Sequence, residues 1–335
     1  MLENATAKTV FASIKNLPVV DAHNHADVKS LMKNECYSDM WQLFAATDHY
    51  VWEIERKCGV QEEFITGKAS DQEKWRELCR VFPLFAGNPV YEWVHLDLRF
   101  LGVNDILCEA VADKTWEQLC KTLASEECLP QNLVRRMNIE VMCSTDDPAD
   151  DLLDHDKAEK AFGKRLIRPT WRPDKAMNIE KPTFLDYLAK LTEVSGIEIK
   201  SFKDLCAALV NRMDYFAANG CSITDHALEY VMYRPATEEE IEAIFAKRLA
   251  GGAVTREEEL KFKTAVMVAL GREYAKKDWA MQLHYGVQRD LNKKVFRALG
   301  ADAGIDAINN YTSAIEMGQY LNALAETDEL PKTIL

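Results

Sequence analysis

What this sequence lacks narrows its function before any motif is read. It has no apolar run of about 18 residues, so no membrane span is expected. Its first residues, Met1-Leu2-Glu3-Asn4-Ala5-Thr6-Ala7-Lys8, do not follow the basic-then-apolar order of a secretory signal, and a cytoplasmic location is the expectation. It has no excess of positive charge: 41 Lys and Arg stand against 54 Asp and Glu, for a net charge of −13. A general nucleic-acid binder would carry a basic stripe. An anionic small substrate stays admissible, because a local Arg or Lys cluster can outweigh the global field. None of the nine cysteines forms a C-x-x-C pair. Their odd number in a chain of 335 residues argues against a disulfide framework, and Cys143 and Cys221, set in apolar runs, read as small core fillers. No G-x-G-x-x-G or Walker-type loop follows any candidate strand, which disfavours a dinucleotide or ATP fold.

What is present is an ordinary globular composition, 47% hydrophobic and 28% charged, enough to fill a core. The length suits one large domain or two ordinary ones. Helix periodicity over 7–16 leads into a strand at 18–23. From 26 to 137 the pattern is helical and rich in aromatics, without a convincing strand. Strands recur at 138–144, 165–169, 221–226 and 279–284, and a sixth begins at 331–335. The helices expected between and after them fall at 181–193, 201–218, 237–249, 255–277 and 312–326. Strands alternating with helices imply a parallel sheet of βα units. The expected architecture is α/β, a TIM-type (β/α)8 barrel with five to six strands in this chain. The barrel part is placed at 1–25 and 138–335, and residues 26–137 form a helical insertion over the barrel mouth.

Polar residues gather where these strands end. Val19-Val20-Asp21-Ala22-His23-Asn24-His25 closes an apolar run with two histidines two residues apart. In a strand that spacing puts both imidazoles on one face, where they can share a divalent metal, and Asp21 could orient one of them. Asp146 and Asp147, Arg168 and Arg172, Asp225 and His226, and His284 end the later strands. In an α/β barrel that rim carries the active site. A lone histidine at a strand end is more often a hydrogen-bonded structural residue; four of the seven histidines ending three strands is harder to dismiss. Within the insertion, Asp48-His49-Tyr50 could shuttle a proton or could be a surface trio. Arg172 could grip a carboxylate or sit in a surface ion pair. His95 and His155 are expected to have no functional role.

Several segments together resemble the uronate (glucuronate) isomerase family of the amidohydrolase superfamily. They are Asp21-Ala22-His23-Asn24-His25, Asp48-His49-Tyr50-Val51-Trp52, Gly87-Asn88-Pro89-Val90-Tyr91-Glu92-Trp93, Trp171-Arg172-Pro173-Asp174-Lys175, Gln282-Leu283-His284-Tyr285-Gly286 and Leu330-Pro331-Lys332-Thr333-Ile334-Leu335. The chain resembles roughly the N-terminal two-thirds of a full-length member. The resemblance implies a metal-assisted aldose–ketose isomerisation of hexuronates, D-glucuronate to D-fructuronate and D-galacturonate to D-tagaturonate. It implies that His23 and His25 hold a divalent metal, zinc by preference, and that His49, Tyr50 and His284 line the reacting end of the sugar. Arg172 would take the substrate carboxylate, and His226 would also face the site. The partner is then a small-molecule hexuronate, not nucleic acid or membrane, and a homo-oligomer is compatible with it.

The chain departs from the family pattern at Glu53, where Arg is common, and at Arg289-Asp290-Leu291-Asn292, where an Asn-rich run is usual. It also lacks the Asp-x-Arg motif whose carboxylate completes the family's metal site. The expectation is therefore a fragment without isomerase activity that binds zinc poorly. Two other readings are compatible with parts of the sequence: a metal-dependent hydrolase or decarboxylase of the same superfamily, against which the insertion motifs argue, and a degenerate sugar-acid binder that keeps Arg172 without the chemistry.

Overall fold

The computed structural model describes residues 3–311 and 313–335. Its strands are short: six pair in parallel, and Val287–Gln288 and Ala307–Ile308 form a separate two-stranded sheet. β1 (Val19–Asp21), β2 (Ile139–Cys143) and β3 (Ile167–Arg168) form one sheet in that order. β4 (Ile223–Leu228), β5 (Ala280–Tyr285) and β6 (Thr333–Ile334) form a second. Trp171 links them by bridging in parallel to Asp146 on one side and Thr224 on the other. The six strands therefore follow one another in chain order, the arrangement produced when each is returned to the same sense by a crossover. The fold is α/β, and the strands lie where the apolar runs placed them. β1 is shorter than expected and ends at Asp21, so His23 and His25 follow it in irregular chain.

The crossovers are helical, and two of the helices have starts encoded by a capping box. Capping boxes open Glu238–Leu249 (Thr237 with Glu240) and Arg256–Lys276 (Thr255 with Glu258). The helix expected at 312–326 is Ser313–Ala325; Thr312 lies outside the described residues. No helix among the described residues is long and apolar enough to cross a membrane. All nine cysteines are free, and Cys143 and Cys221 are buried as expected of core fillers.

The chain divides into two compact units. The first comprises residues 1–32, 138–287 and 308–335, and holds the six strands. Its core packs Trp171, Phe184, Phe216, Phe245, Phe262 and Tyr274. The second comprises 33–137 and 288–307 and is built on Trp41, Trp75, Phe82, Phe85 and Leu98. These bounds differ from the expected 1–25 with 138–335 and 26–137. Residues 26–32 stay with the strands, and 288–307 join the helical unit.

The contacts of 288–307 explain its placement. The Arg56 guanidinium donates to the Ala303 carbonyl and also chelates Glu62 at 2.8 and 2.9 Å. Gly304 has φ +69°, and a Cβ there would stand 2.4 Å from the His49 carbonyl oxygen. Only glycine allows that approach without moving backbone.

Two buried polar groups give stability predictions. Ser144 follows β2, and its hydroxyl sits 2.7 Å from Asp146 Oδ2 and 2.8 Å from His155 Nε2, with all three side chains buried. Burial raises the Asp146 pKa to about 6 and lowers that of His155 to about 4. Ser144→Ala strips a shared partner from both, and should lower unfolding free energy by about 1–3 kcal/mol in chemical denaturation.

Glu55 is fully buried in helix His49–Lys57, and neither carboxyl oxygen has a hydrogen-bond partner among the described residues. Desolvation raises its pKa from 4.5 to about 8, against the opposing fields of Arg56 and Lys74 and with those of Glu62 and Glu77. The folded state therefore holds the proton more tightly than the unfolded chain. The stability this contributes is complete below pH 4.5 and drains away as pH rises towards about 8. Glu55→Gln should gain on the wild type by a few kcal/mol across that window and no further above it. A pH-independent difference would reject the neutral carboxyl.

Candidate metal and acid–base site

β4 and β5 pair with Asp225 opposite Gln282 and Ala227 opposite His284. Side chains alternate along each strand, so Asp225, Ala227, Gln282 and His284 share one face. Asp225 has no exposed surface. His284 Nδ1 is in short hydrogen-bond contact with Asp225 Oδ1. Arg172 Nη1 donates to Asp225 Oδ2 at 2.9 Å, while its Nε donates to Asp174 Oδ2 at 2.7 Å. His23 Nδ1 lies 3.9 Å from Asp225 Oδ2.

The irregular segment after β1 brings His23 to this carboxylate. Its backbone is held by Asn24 N–H on the Cys143 carbonyl at 3.0 Å and by Thr145 Oγ1 on the Asn24 carbonyl at 2.8 Å. Asp21 acts locally, accepting from His23 N–H at 3.3 Å and Asn24 Nδ2 at 3.0 Å. The His23 ring lies 4.5 Å from the His284 ring and 4.9 Å from the His25 ring.

Donor atoms of His23, Asp225 and His284 all fall within 4.8 Å of one another. Two imidazoles and a carboxylate are a familiar donor set for a divalent cation that leaves a position open. His23 Nδ1 is buried without a hydrogen-bond partner among the described residues, as a nitrogen awaiting a ligand would be. Desolvation lowers the His23 pKa, although Asp225 opposes it, so the ring is neutral and its lone pair available. Burial opposes the charge on Arg172, but Asp174 and Asp225 outweigh it and raise its pKa. The guanidinium therefore stays charged beside the buried carboxylate.

The expected residues are distributed unevenly. His23, His284 and Arg172 converge, with His25 beside His23. Asp225 stands at a strand end in the sequence but is not among the expected site residues. The alternation Asp225-His226 was the available signal, since one of the two must face His284 and the other the helices.

His226, expected to face the substrate, is the one turned away. It is completely buried against Tyr274, whose hydroxyl lies 3.1 Å from His226 Nε2, and burial lowers its pKa to about 4. The register of β4 on β5 forces this. Arg172, expected to be available to a carboxylate, already engages two within the protein.

His49 and Tyr50 belong to the second unit. They open helix His49–Lys57, where Asp48 caps the helix by accepting from Tyr50 N–H at 2.8 Å and Val51 N–H at 3.3 Å. Their rings lie 4.4 Å apart, and Tyr50 is exposed.

Comparison with known proteins identifies the lineage of this arrangement. A family model described as glucuronate isomerase matches residues 1–335. A uronate isomerase of Lachnospira eligens is 48% identical over all of this chain, which covers 72% of that protein. A uronate isomerase of Thermotoga maritima is 39% identical, with 74% of its length covered. The crystal structure of the Thermotoga maritima uronate isomerase superposes with a TM-score of 0.93 over 99% of this chain and 73% of that one. A glucuronate isomerase from Caulobacter crescentus, at 24% identity, shares the fold with a TM-score of 0.88.

Proposed function

Because the chain belongs to the glucuronate isomerase family and is an isomerase, we propose that it interconverts D-glucuronate with D-fructuronate and D-galacturonate with D-tagaturonate around the His23–Asp225–His284 cluster. The convergence of those three side chains carries the reading. In this reading the six strands are a sector of a TIM-type (β/α)8 barrel of the amidohydrolase superfamily, with the cluster at their C-terminal ends.

His23, Asp225 and His284 would hold the divalent cation, zinc by preference, with His25 next to them. When bound, the cation supplies positive charge where an enediolate oxygen develops. The protein's own groups do the rest. Moving a carbonyl from C1 to C2 takes a proton from C2 and returns it to C1, so a base and an acid are needed. His49 and Tyr50, adjacent at a capped helix start, are suited to proton transfer, and Tyr50 is exposed enough to meet a ligand. Arg172 keeps a positive charge at the cluster that an anionic sugar can approach. Asp225 adds a carboxylate to the two imidazoles, and we expect zinc to bind there.

Two measurements test this. Zinc titration of the purified chain should give one site, and His23→Ala should weaken it at least about tenfold; unchanged zinc content would remove His23 from the donor set. Isomerisation of D-glucuronate and D-galacturonate should be followed with zinc and with chelator. Metal-dependent ketose formation supports the assignment. Turnover that survives chelation overturns the metal role, and absence of turnover with zinc bound overturns uronate isomerisation by this chain.

A further inference from the structure

We propose that Asp146 is a positioning residue for this site. Its buried carboxylate takes the place of a backbone rung between the chain after β2 and the chain after β3, and so fixes the segment that presents Arg172 to Asp225. The proposal rests on the functional reading above only in treating the Arg172–Asp225 pair as part of the site.

The pairing of these two stretches runs on past the strand ends. Ser144 N–H donates to the Arg168 carbonyl at 3.0 Å, Asp146 N–H to the Thr170 carbonyl at 3.1 Å, and Arg172 N–H to the Asp146 carbonyl at 3.0 Å. These are rungs of a parallel ladder, whose bonds are evenly spaced. One rung in the series is different. The spacing assigns the Thr170 N–H to the Ser144 carbonyl, yet it donates to Asp146 Oδ2 at 3.1 Å. That oxygen also accepts from Ser144 Oγ at 2.7 Å, which holds the carboxylate from its own side of the ladder. Asp146 therefore grips the segment through its side chain at Thr170 N–H, its N–H at the Thr170 carbonyl and its carbonyl at Arg172 N–H.

The grip matters because of what the segment does on its other edge. Trp171, between the two gripped residues, faces β4 with its backbone. Its N–H donates to the Ile223 carbonyl at 3.2 Å, and its carbonyl accepts from Asp225 N–H at 2.9 Å. Arg172 then reaches Asp225 with its side chain, Nη1 donating to Oδ2 at 2.9 Å. The segment thus joins Asp146 to Asp225 directly. Thr170 has no exposed surface and Asp146 is buried, so an N–H deprived of that carboxylate stays unsatisfied until the segment shifts.

The test is hydrogen–deuterium exchange at the backbone amides of Thr170, Arg172 and Asp225, read against the amides of β5, together with zinc affinity. The wild type is compared with Asp146→Ala, Asp146→Asn and Ser144→Ala. Asp146→Ala should speed exchange at these amides about tenfold relative to β5, and weaken zinc binding by about the same factor. Asp146→Asn keeps an oxygen for the Thr170 N–H and should restore both readouts. Ser144→Ala removes a buried partner but leaves the rung, and should alter neither, although it lowers stability.

Unchanged relative exchange at Arg172 and Asp225 in Asp146→Ala overturns the proposal. So does an equal response from Ser144→Ala, which would mark a general loss of packing, or a failure of Asp146→Asn to restore the pattern. If the wild type takes up no zinc, the metal reading falls and exchange alone decides. If Asp146→Ala does not fold, Asp146→Ser, whose shorter side chain cannot make the rung, carries the test by the same criteria.

Discussion

A carboxylate with no exposed surface must be compensated where it lies, and the candidate site is organised around that requirement at Asp225. Removing a carboxylate from water costs several kcal/mol unless partners replace the lost hydration. Asp225 has the Arg172 guanidinium on one oxygen and His284 on the other, with His23 nearby. Each partner comes from a different part of the chain: the segment after β3, the end of β5 and the turn after β1. The parallel strand order exists, in functional terms, to bring those three ends to one carboxylate. Trp171 is central to this, since it bridges the two sheets and immediately precedes Arg172.

The second unit has a different logic. It is a helical body with its own aromatic core, and its interest lies at one helix start, where Asp48 caps the turn that carries His49 and Tyr50. The segment 288–307 is folded onto that turn, with Gly304 against the His49 carbonyl. This segment follows β5 directly, so the strand that presents His284 continues into chain that braces His49.

Much of the fold could be read from periodicity. The apolar runs at 138–144, 221–226 and 279–284 became strands, and the two helices between β4 and β5 open at capping boxes visible as Thr-x-x-Glu. The family motifs agree with the family match over residues 1–335. The site was less legible, for specific reasons. His23 and His25 read as strand residues on one face, yet β1 stops at Asp21 and loop contacts bring His23 to Asp225. Asp225 and His226 are neighbours of equal promise in the sequence, but opposite faces of one strand cannot both line a site. Arg172 reads equally as a carboxylate clamp or as one half of an ion pair, and only the fold shows it paired with Asp174 and Asp225.

Local information is sufficient for what local forces decide. The spacing of apolar side chains, caps and turn residues settled the element types, their order and the parallel α/β class, and short motifs settled the family. Register and pairing lie beyond that reach. Whether Asp225 or His226 faces His284 depends on how β4 slides against β5, and a one-residue slip would exchange them. That Arg172 and His284 both meet the buried carboxylate of Asp225 depends on groups more than fifty residues apart coming together. Desolvation makes those long-range partnerships obligatory, and it acts only once the chain has folded.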